Sequence, residues 1–191
     1  PLAIAAVTAV LKDLLNNGAI DDDLASAVGG NVAVTALPPD RIEAGTQEKN
    51  QLNLFLFQVT PNLGWRNVGL PSRSDDGQRL TNAPLALDLH YLLSAYGEKE
   101  LNSEILLGYA MHLLHETTVL GRDQIRAALK PTAPVSASIL PPACASASAV
   151  DLADQVEQIK ITPQFLSTEE LSKLWTAFPG RYRTTTAYQV S

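Results

Sequence analysis

Gln51-Leu52-Asn53-Leu54-Phe55-Leu56-Phe57-Gln58-Val59 is the stretch that decides how this chain folds. Successive side chains of a strand point to opposite faces, so Leu52, Leu54 and Leu56 share one face and Phe55, Phe57 and Val59 the other. Apolar residues on both faces predict a strand covered from both sides, inside a sheet. Downstream, Leu85-Ala86-Leu87-Asp88-Leu89-His90-Tyr91-Leu92-Leu93 alternates as cleanly. Leu85, Leu87, Leu89, Tyr91 and Leu93 form one face, and Asp88 and His90 lie on the other. Between the two runs, residues 61–84 show no sustained periodicity and carry Pro61, Asn62, Gly64, Gly69, Pro71 and Gly77. Unstructured loops beyond about 12–15 residues are uncommon in compact domains, so 61–84 reads as a long arm.

Further strands are predicted at 32–37, ended by Pro38-Pro39, at 156–162 near a sheet edge, and at 184–191. Helices alternate with them. Ile4, Val7, Leu11 and Leu14 recur at helical spacing, and Gly18 stands where it would stop that helix. Asp21-Asp22-Asp23 to Gly29-Gly30 reads as a turn-rich connection. From Asn102, a candidate N-cap, the run to Leu114 is apolar around most of its circumference and predicts a largely buried helix, ended or interrupted by Gly121. Arg122 to Leu129 follows as a short helix with Ile125 and Leu129 inward. Ser167 and Glu170 form a capping box, Leu166 and Leu171 sit at the positions of a hydrophobic staple, and Leu174, Trp175 and Phe178 extend the apolar face to Pro179-Gly180. Residues 131–150 hold four Pro, four Ser and six Ala with no charge, the composition of a surface excursion. The expected fold is α+β: one domain over residues 1–191, with a mostly antiparallel or mixed sheet flanked by helices and excursions at 61–84 and 131–150.

The 191 residues suit one domain or two small ones. With 46% hydrophobic and 18% charged residues, the chain can bury a substantial core. Its formal charge of −6 is opposite to the basic footprint that grips phosphate backbones, which argues against nucleic-acid and anionic-membrane partners. The single Cys144 cannot form an internal bridge, and it sits without a charged neighbour in sequence, the setting of an inert thiol. Uninterrupted apolar stretches fall short of the roughly 20 residues that cross a bilayer, and Pro1-Leu2-Ala3-Ile4 lacks the basic region of a secretory signal.

Three groupings of polar residues bear on chemistry. His112, His115 and Glu116 lie on one side of a helix and include ordinary zinc ligands, but the His–His spacing of three and the trailing Glu do not match a zincin. With Glu104 and Gly108 they form a polar or small stripe, read as solvated or subunit-facing. Asp88, His90 and Ser94 share a strand face, yet same-face residues two apart are separated by roughly 7 Å, and no Gly-x-Ser-x-Gly elbow is present. No phosphate-cradling glycine loop occurs, and Gly29-Gly30 precedes a strand instead of following one. Trp65-Arg66-Asn67 places two residue types enriched at interface hot spots side by side on the arm. These residues favour binding or assembly over catalysis.

The longer blocks carry more information. Asn50 to Asn62 followed by Trp65-Arg66-Asn67, Leu85 to Leu93 with Ala95-Tyr96-Gly97, Glu104 to Met111, Leu113-Leu114-His115-Glu116, Ile159 to Pro163, Leu166 to Trp175, Tyr182-Arg183 and Ala187-Tyr188-Gln189-Val190 appear in this order. Together they closely resemble the N-terminal domain of cap proteins from phage-tail-like contractile injection systems. The likeness covers nearly the whole chain and is weakest at about 19–30 and 131–150.

The resemblance implies a structural tail terminator and no enzyme. Such subunits form a ring, six-fold in these systems, at the end of the tube and sheath opposite the baseplate. The ring would stop inner-tube growth and hold the last sheath layer during contraction. Implied partners are copies of itself, the sheath protein and the inner tube protein, with no cofactor, metal, nucleic acid or direct membrane insertion. Assembly is expected in a bacterial cytoplasm, in a toxin-delivering particle that is released or membrane-anchored. Candidate contacts with neighbouring subunits or sheath are Trp65, Arg66, Asn67, Arg73, Arg79, Asp88, His90 and Tyr188. Strand addition to an open sheet edge, at 156–162 or 184–191, is a candidate docking mode. A strand that runs to Ser191, in a chain without an initial Met, suggests a portion of a longer product. The alternatives are a metal-dependent enzyme using His112, His115 and Glu116, and an adaptor without ring symmetry.

Overall fold

The computed structural model describes residues 2–43, 45, 47–65, 74–78, 85–129, 158–178 and 181–191. The described elements are α1 (Ala3–Asp21), α2 (Leu24–Val28), β1 (Ala33–Thr35), a 3-10 turn (Pro39–Arg41), β2 (Gln51–Pro61), β3 (Leu87–Tyr96), α3 (Asn102–Glu116), β4 (Val119–Gly121), α4 (Arg122–Leu129), β5 (Gln158–Gln164), α5 (Thr168–Ala177) and β6 (Thr185–Val190). The strands form one six-stranded sheet in the order β1-β2-β3-β6-β5-β4. β1 runs parallel to β2 and every other pair is antiparallel. This is the mixed sheet with helices that the sequence predicts.

One face of the sheet carries the core. Leu52 and Leu54 of β2, Leu89, Tyr91, Leu93 and Ala95 of β3, Tyr188 and Val190 of β6, and Ile159 and Ile161 of β5 are buried in a single cluster with α1, α3 and α4. Tyr91 ties the layers together: its hydroxyl meets Thr8 Oγ1 of α1 at 2.8 Å. By length and hydropathy alone α1 would reach across a bilayer. Unbroken apolar runs fall short of that length because Lys12 and Asp13 interrupt this one. Ala6, Ala9, Val10, Leu11 and Leu15 are all buried, so α1 is a core helix of this fold.

The face assignment of β2 needs correction at its far half. Pairing runs Leu54↔Leu93, Phe55↔Leu92 and Leu56↔Tyr91, then shifts to Gln58↔His90 and Val59↔Leu89 across a bulge. A bulge sets two residues against one and leaves the later residues on swapped faces. Val59 therefore joins the face of Leu52, Leu54 and Leu56, not that of Phe55 and Phe57, and Thr60 comes to lie beside His90. The cover also thins along β2: Leu52 and Leu54 are buried, whereas Val59 is exposed.

Four further expectations change. Gly18 does not end α1, which runs on to Asp21. A Cβ there would sit 2.7 Å from Leu113 Cδ2 and press on the Tyr109 hydroxyl, so Gly18 serves the close crossing of α1 over α3. Within the connection at 21–30 lies α2, closed by Gly29 at φ 69°. Asn102 is the first residue of α3 and not its cap, because Leu101 takes the N-cap position and the Asn102 amide donates to Val28 O and Asn50 Oδ1 at 3.1 and 2.9 Å. α3 is buried along one side only, through Leu106, Leu107, Ala110 and Leu114, and it ends at Glu116 before the short strand β4. The capping box is present as predicted, with Ser167 Oγ accepting from Glu170 N and Glu170 Oε2 accepting from Ser167 N.

Candidate functional site

The arm leaves the sheet where β2 ends, and Asn62 fixes its first turn. Its backbone N–H donates to Ala86 O at 3.0 Å, its side-chain amide donates to Asp88 Oδ1 at 2.8 Å, and its Oδ1 accepts from Trp65 N at 3.0 Å. An Asn that bonds the backbone a few residues on builds a turn without help from the strand ladder. The result presents Leu63 and Trp65 to solvent, at 76% and 61% exposure, with Leu85 at 78% just before the returning strand β3. Arg66, Asn67, Arg73 and Arg79 lie outside the described residues, as do Cys144 and the tract 131–150.

Asp88 and His90 lie on the sheet face opposite the core, but each is committed locally. His90 is 8% exposed. Its Nε2 meets Thr60 Oγ1 and its Nδ1 meets Gln164 Oε1, both at 2.9 Å. Asp88 bonds Asn62 instead of His90, so Asp88, His90 and Ser94 form no proton relay. Tyr188, proposed as a contact, pairs with Tyr91 on the core face and is 3% exposed. Burial also raises its hydroxyl pKa above the ordinary value. A residue so enclosed, like His90, offers no surface to a partner.

The polar stripe of α3 is outward as expected. Glu104, Gly108, His112, His115 and Glu116 are exposed, together with Ile105 and Met111. His112 Nε2 faces Glu116 Oε1 at 3.4 Å in an exposed pair. Among the described residues no three His, Cys, Asp or Glu side chains stand close enough to share a metal ion.

Both strands offered as docking edges are covered by neighbours over most of their length. The exception is that, among the described residues, β4 pairs only with Gln158, Ile159 and Lys160 of β5 and leaves Thr162, Pro163 and Gln164 paired on the β6 side alone. β6 pairs with β3 on one side and β5 on the other, and β5 lies between β6 and β4. The sheet order leaves the outer sides of β1 and β4, and the outer side of β2 beyond the short β1. β1 pairs only with Gln51, Leu52 and Asn53, so among the described residues no strand covers the outer edge of β2 from Leu54 to Pro61.

A polar clamp, which pattern reading missed, holds the end of the sheet where β2 begins and β3 ends. Glu48 accepts from Gly97 N at 3.2 Å and pairs with Arg183, whose guanidinium lies 5.6 Å from the centre of the Tyr96 ring. Asn50 Oδ1 accepts from Glu98 N and Asn102 Nδ2. No local signal marks these residues, since their partners are about 50 or more positions away. Asn62 did carry a signal: Asn followed by Gly and Trp just after a strand is a turn motif with a mechanism.

The arrangement is that of a scaffold with exposed apolar projections. Its fold matches two solved structures, each at a TM-score of 0.52 and 16% identity. One is the sheath/tube terminator of the extracellular contractile injection system PVC in its extended state, of which the match covers 92% of this chain and 53% of that one. The other is the tube-terminating cap of the anti-feeding prophage, with 91% and 51% covered. The chain thus spans about half the length of the terminators it matches. No curated protein matches it. The sequence profile of the Pvc16 N-terminal domain matches residues 6–191, and by that match over nearly its full length the chain belongs to the Pvc16 N-terminal domain family.

Proposed function

We propose that this chain is a structural part of a cap that closes the baseplate-distal end of the inner tube and anchors the last sheath layer of a bacterial contractile injection system. The family match over residues 6–191 carries this reading. The fold shared with two terminators agrees with it. The cap acts as a ring, a hexamer by the family resemblance, assembled in the bacterial cytoplasm with sheath and tube proteins as partners, and it catalyses no reaction. Trp65, Arg66, Asn67, Arg73 and Arg79 of the arm, with Asp88 at its base, contact a neighbouring subunit or the sheath. A sheath segment that docks by strand addition does so on the outer edge of β2 or β4, where backbone groups can accept another chain.

The test is addition of the purified full chain to growing tubes and to sheathed tubes of its own system, viewed by electron microscopy. Capping gives growth arrest and added density at one end only. Free growth with no end-bound density defeats the proposal, and a chain that stays monomeric at high concentration favours the adaptor reading.

A further inference from the structure

An apolar groove of about 160 Å³ opens at one end of the core. Ile4 and Val7 of α1, Leu85 before β3, Leu87 and Leu89 of β3, and Val190 of β6 line it, with the start of β5 at its rim. Leu85 is exposed and Ile4, Val7 and Leu87 are half-buried, so the core is not closed there. At the opposite end of β5, directly after Gln164, stands Phe165, at 90% exposure the most exposed large apolar side chain among the described residues. The seven residues of β5 put about 20 Å between the two features.

From this pairing we infer that Phe165 of one copy seats in the Leu85–Leu87 groove of the next. The size agrees: an apolar cavity of about 150 Å³ holds a benzene ring, and a phenyl side chain is the chemistry this groove fits. The placement agrees as well. An apolar knob and a complementary hole at different sites of one molecule make a heterologous, head-to-tail contact, and such contacts close into a ring when the rotation between copies divides the circle. A tube or sheath partner would leave both features on every copy to be filled separately, whereas a second copy fills one with the other. Burying Phe165 and the rim of the groove together also removes the largest apolar exposure at each end of β5. The inference rests on the ring reading above and names the contact that builds the ring.

The full chain, carrying Cys144→Ser to exclude adventitious disulfides, is tested with the photoreactive p-benzoylphenylalanine in place of Phe165. It is mixed with an excess of nitrogen-15-labelled unmodified copies, irradiated and mapped by mass spectrometry. The expected products join position 165 to labelled peptides containing Ile4–Val7 or Leu85–Leu89. Phe165→Ala and Leu85→Asp, both at exposed positions and checked for unchanged melting, each weaken self-association about thirtyfold, the effect of losing a hot-spot anchor. Rings that form normally while position 165 links elsewhere, or only within its own chain, overturn this contact and leave the ring reading standing. Unmodified chains that remain monomeric throughout overturn both.

Discussion

Thr60 Oγ1 and His90 Nε2 stand 2.9 Å apart on the sheet face opposite the core, and the bulge between Leu56 and Gln58 is what brings them together. Uninterrupted alternation would have put Thr60 among the core leucines. The bond occupies one ring nitrogen of a nearly buried histidine, and Gln164 occupies the other.

Thr60→Val tests that bond. It removes the hydroxyl while keeping the shape, and it leaves a buried nitrogen without a partner, at a cost of about 1–3 kcal/mol. Thermal melting should fall by about 2–4 °C for each kcal/mol lost, and Thr60→Ser should restore most of it. Equal melting of Thr60→Val and the parent chain would mean that the bond contributes nothing.

Gly18→Ala and Gly108→Ala make opposite predictions from the same chemical change. In an exposed helix interior, Gly to Ala stabilises by about 1 kcal/mol, and Gly108 has open space where a Cβ would go. At Gly18 the new methyl meets Tyr109 and Leu113, and overpacking costs about 1–3 kcal/mol. Melting of the isolated chain should rise for Gly108→Ala and fall for Gly18→Ala. If Gly18→Ala also stabilises, the helices are not held in close contact.

Asn102→Ala removes the donor that joins the last turn of α2 to Asn50. Val28 O and Asn50 Oδ1 each lose a buried partner, which predicts a loss of about 1–3 kcal/mol in urea unfolding. Asn102 substituted by Asp, which keeps the shape but cannot donate, should be no better. A neutral result for either would remove the clamp from the account.

Asp13 is 9% exposed, and burial raises its pKa above the ordinary 3.8, with only the Asn17 hydrogen bond opposing the shift. A carboxyl raised in the folded state binds protons more tightly there than in the unfolded chain, so stability falls as pH rises from the unfolded value through the folded one. Asp13→Asn keeps an acceptor for Asn17 and removes the charge. It should melt higher than the parent at pH 7, and the gap should close at about pH 3, where both states are protonated. A gap that persists in acid would point to packing instead.

Much of the fold could be read from the chain because its signals are local. Leu52, Leu54, Leu89, Tyr91 and Leu93 declare two strands by alternation, and Ser167 with Glu170 declares the start of α5 within four residues. The misreadings have one physical origin. Gly18 reads as a helix stop until Tyr109 and Leu113 arrive from nearly a hundred residues away, and Asn102 reads as a cap until Asn50 claims its amide. The bulge after Leu56 has no glycine to announce it, and it moved Val59 and Thr60 to unexpected faces. On the arm, Trp65 was identifiable by residue type as a candidate contact, and it is exposed. The groove was not, because its lining comes from α1, β3 and β6, and Phe165 is significant only once the hole at the other end of β5 is known.

The most direct measurement is cryo-electron microscopy of the native particle with the baseplate-distal end resolved. The account predicts a closed ring of this chain on the last tube and sheath layers, with Phe165 of each copy seated beside Leu85 and Leu87 of the next. Finding the chain elsewhere in the particle, or as a lone copy at that end, would contradict it.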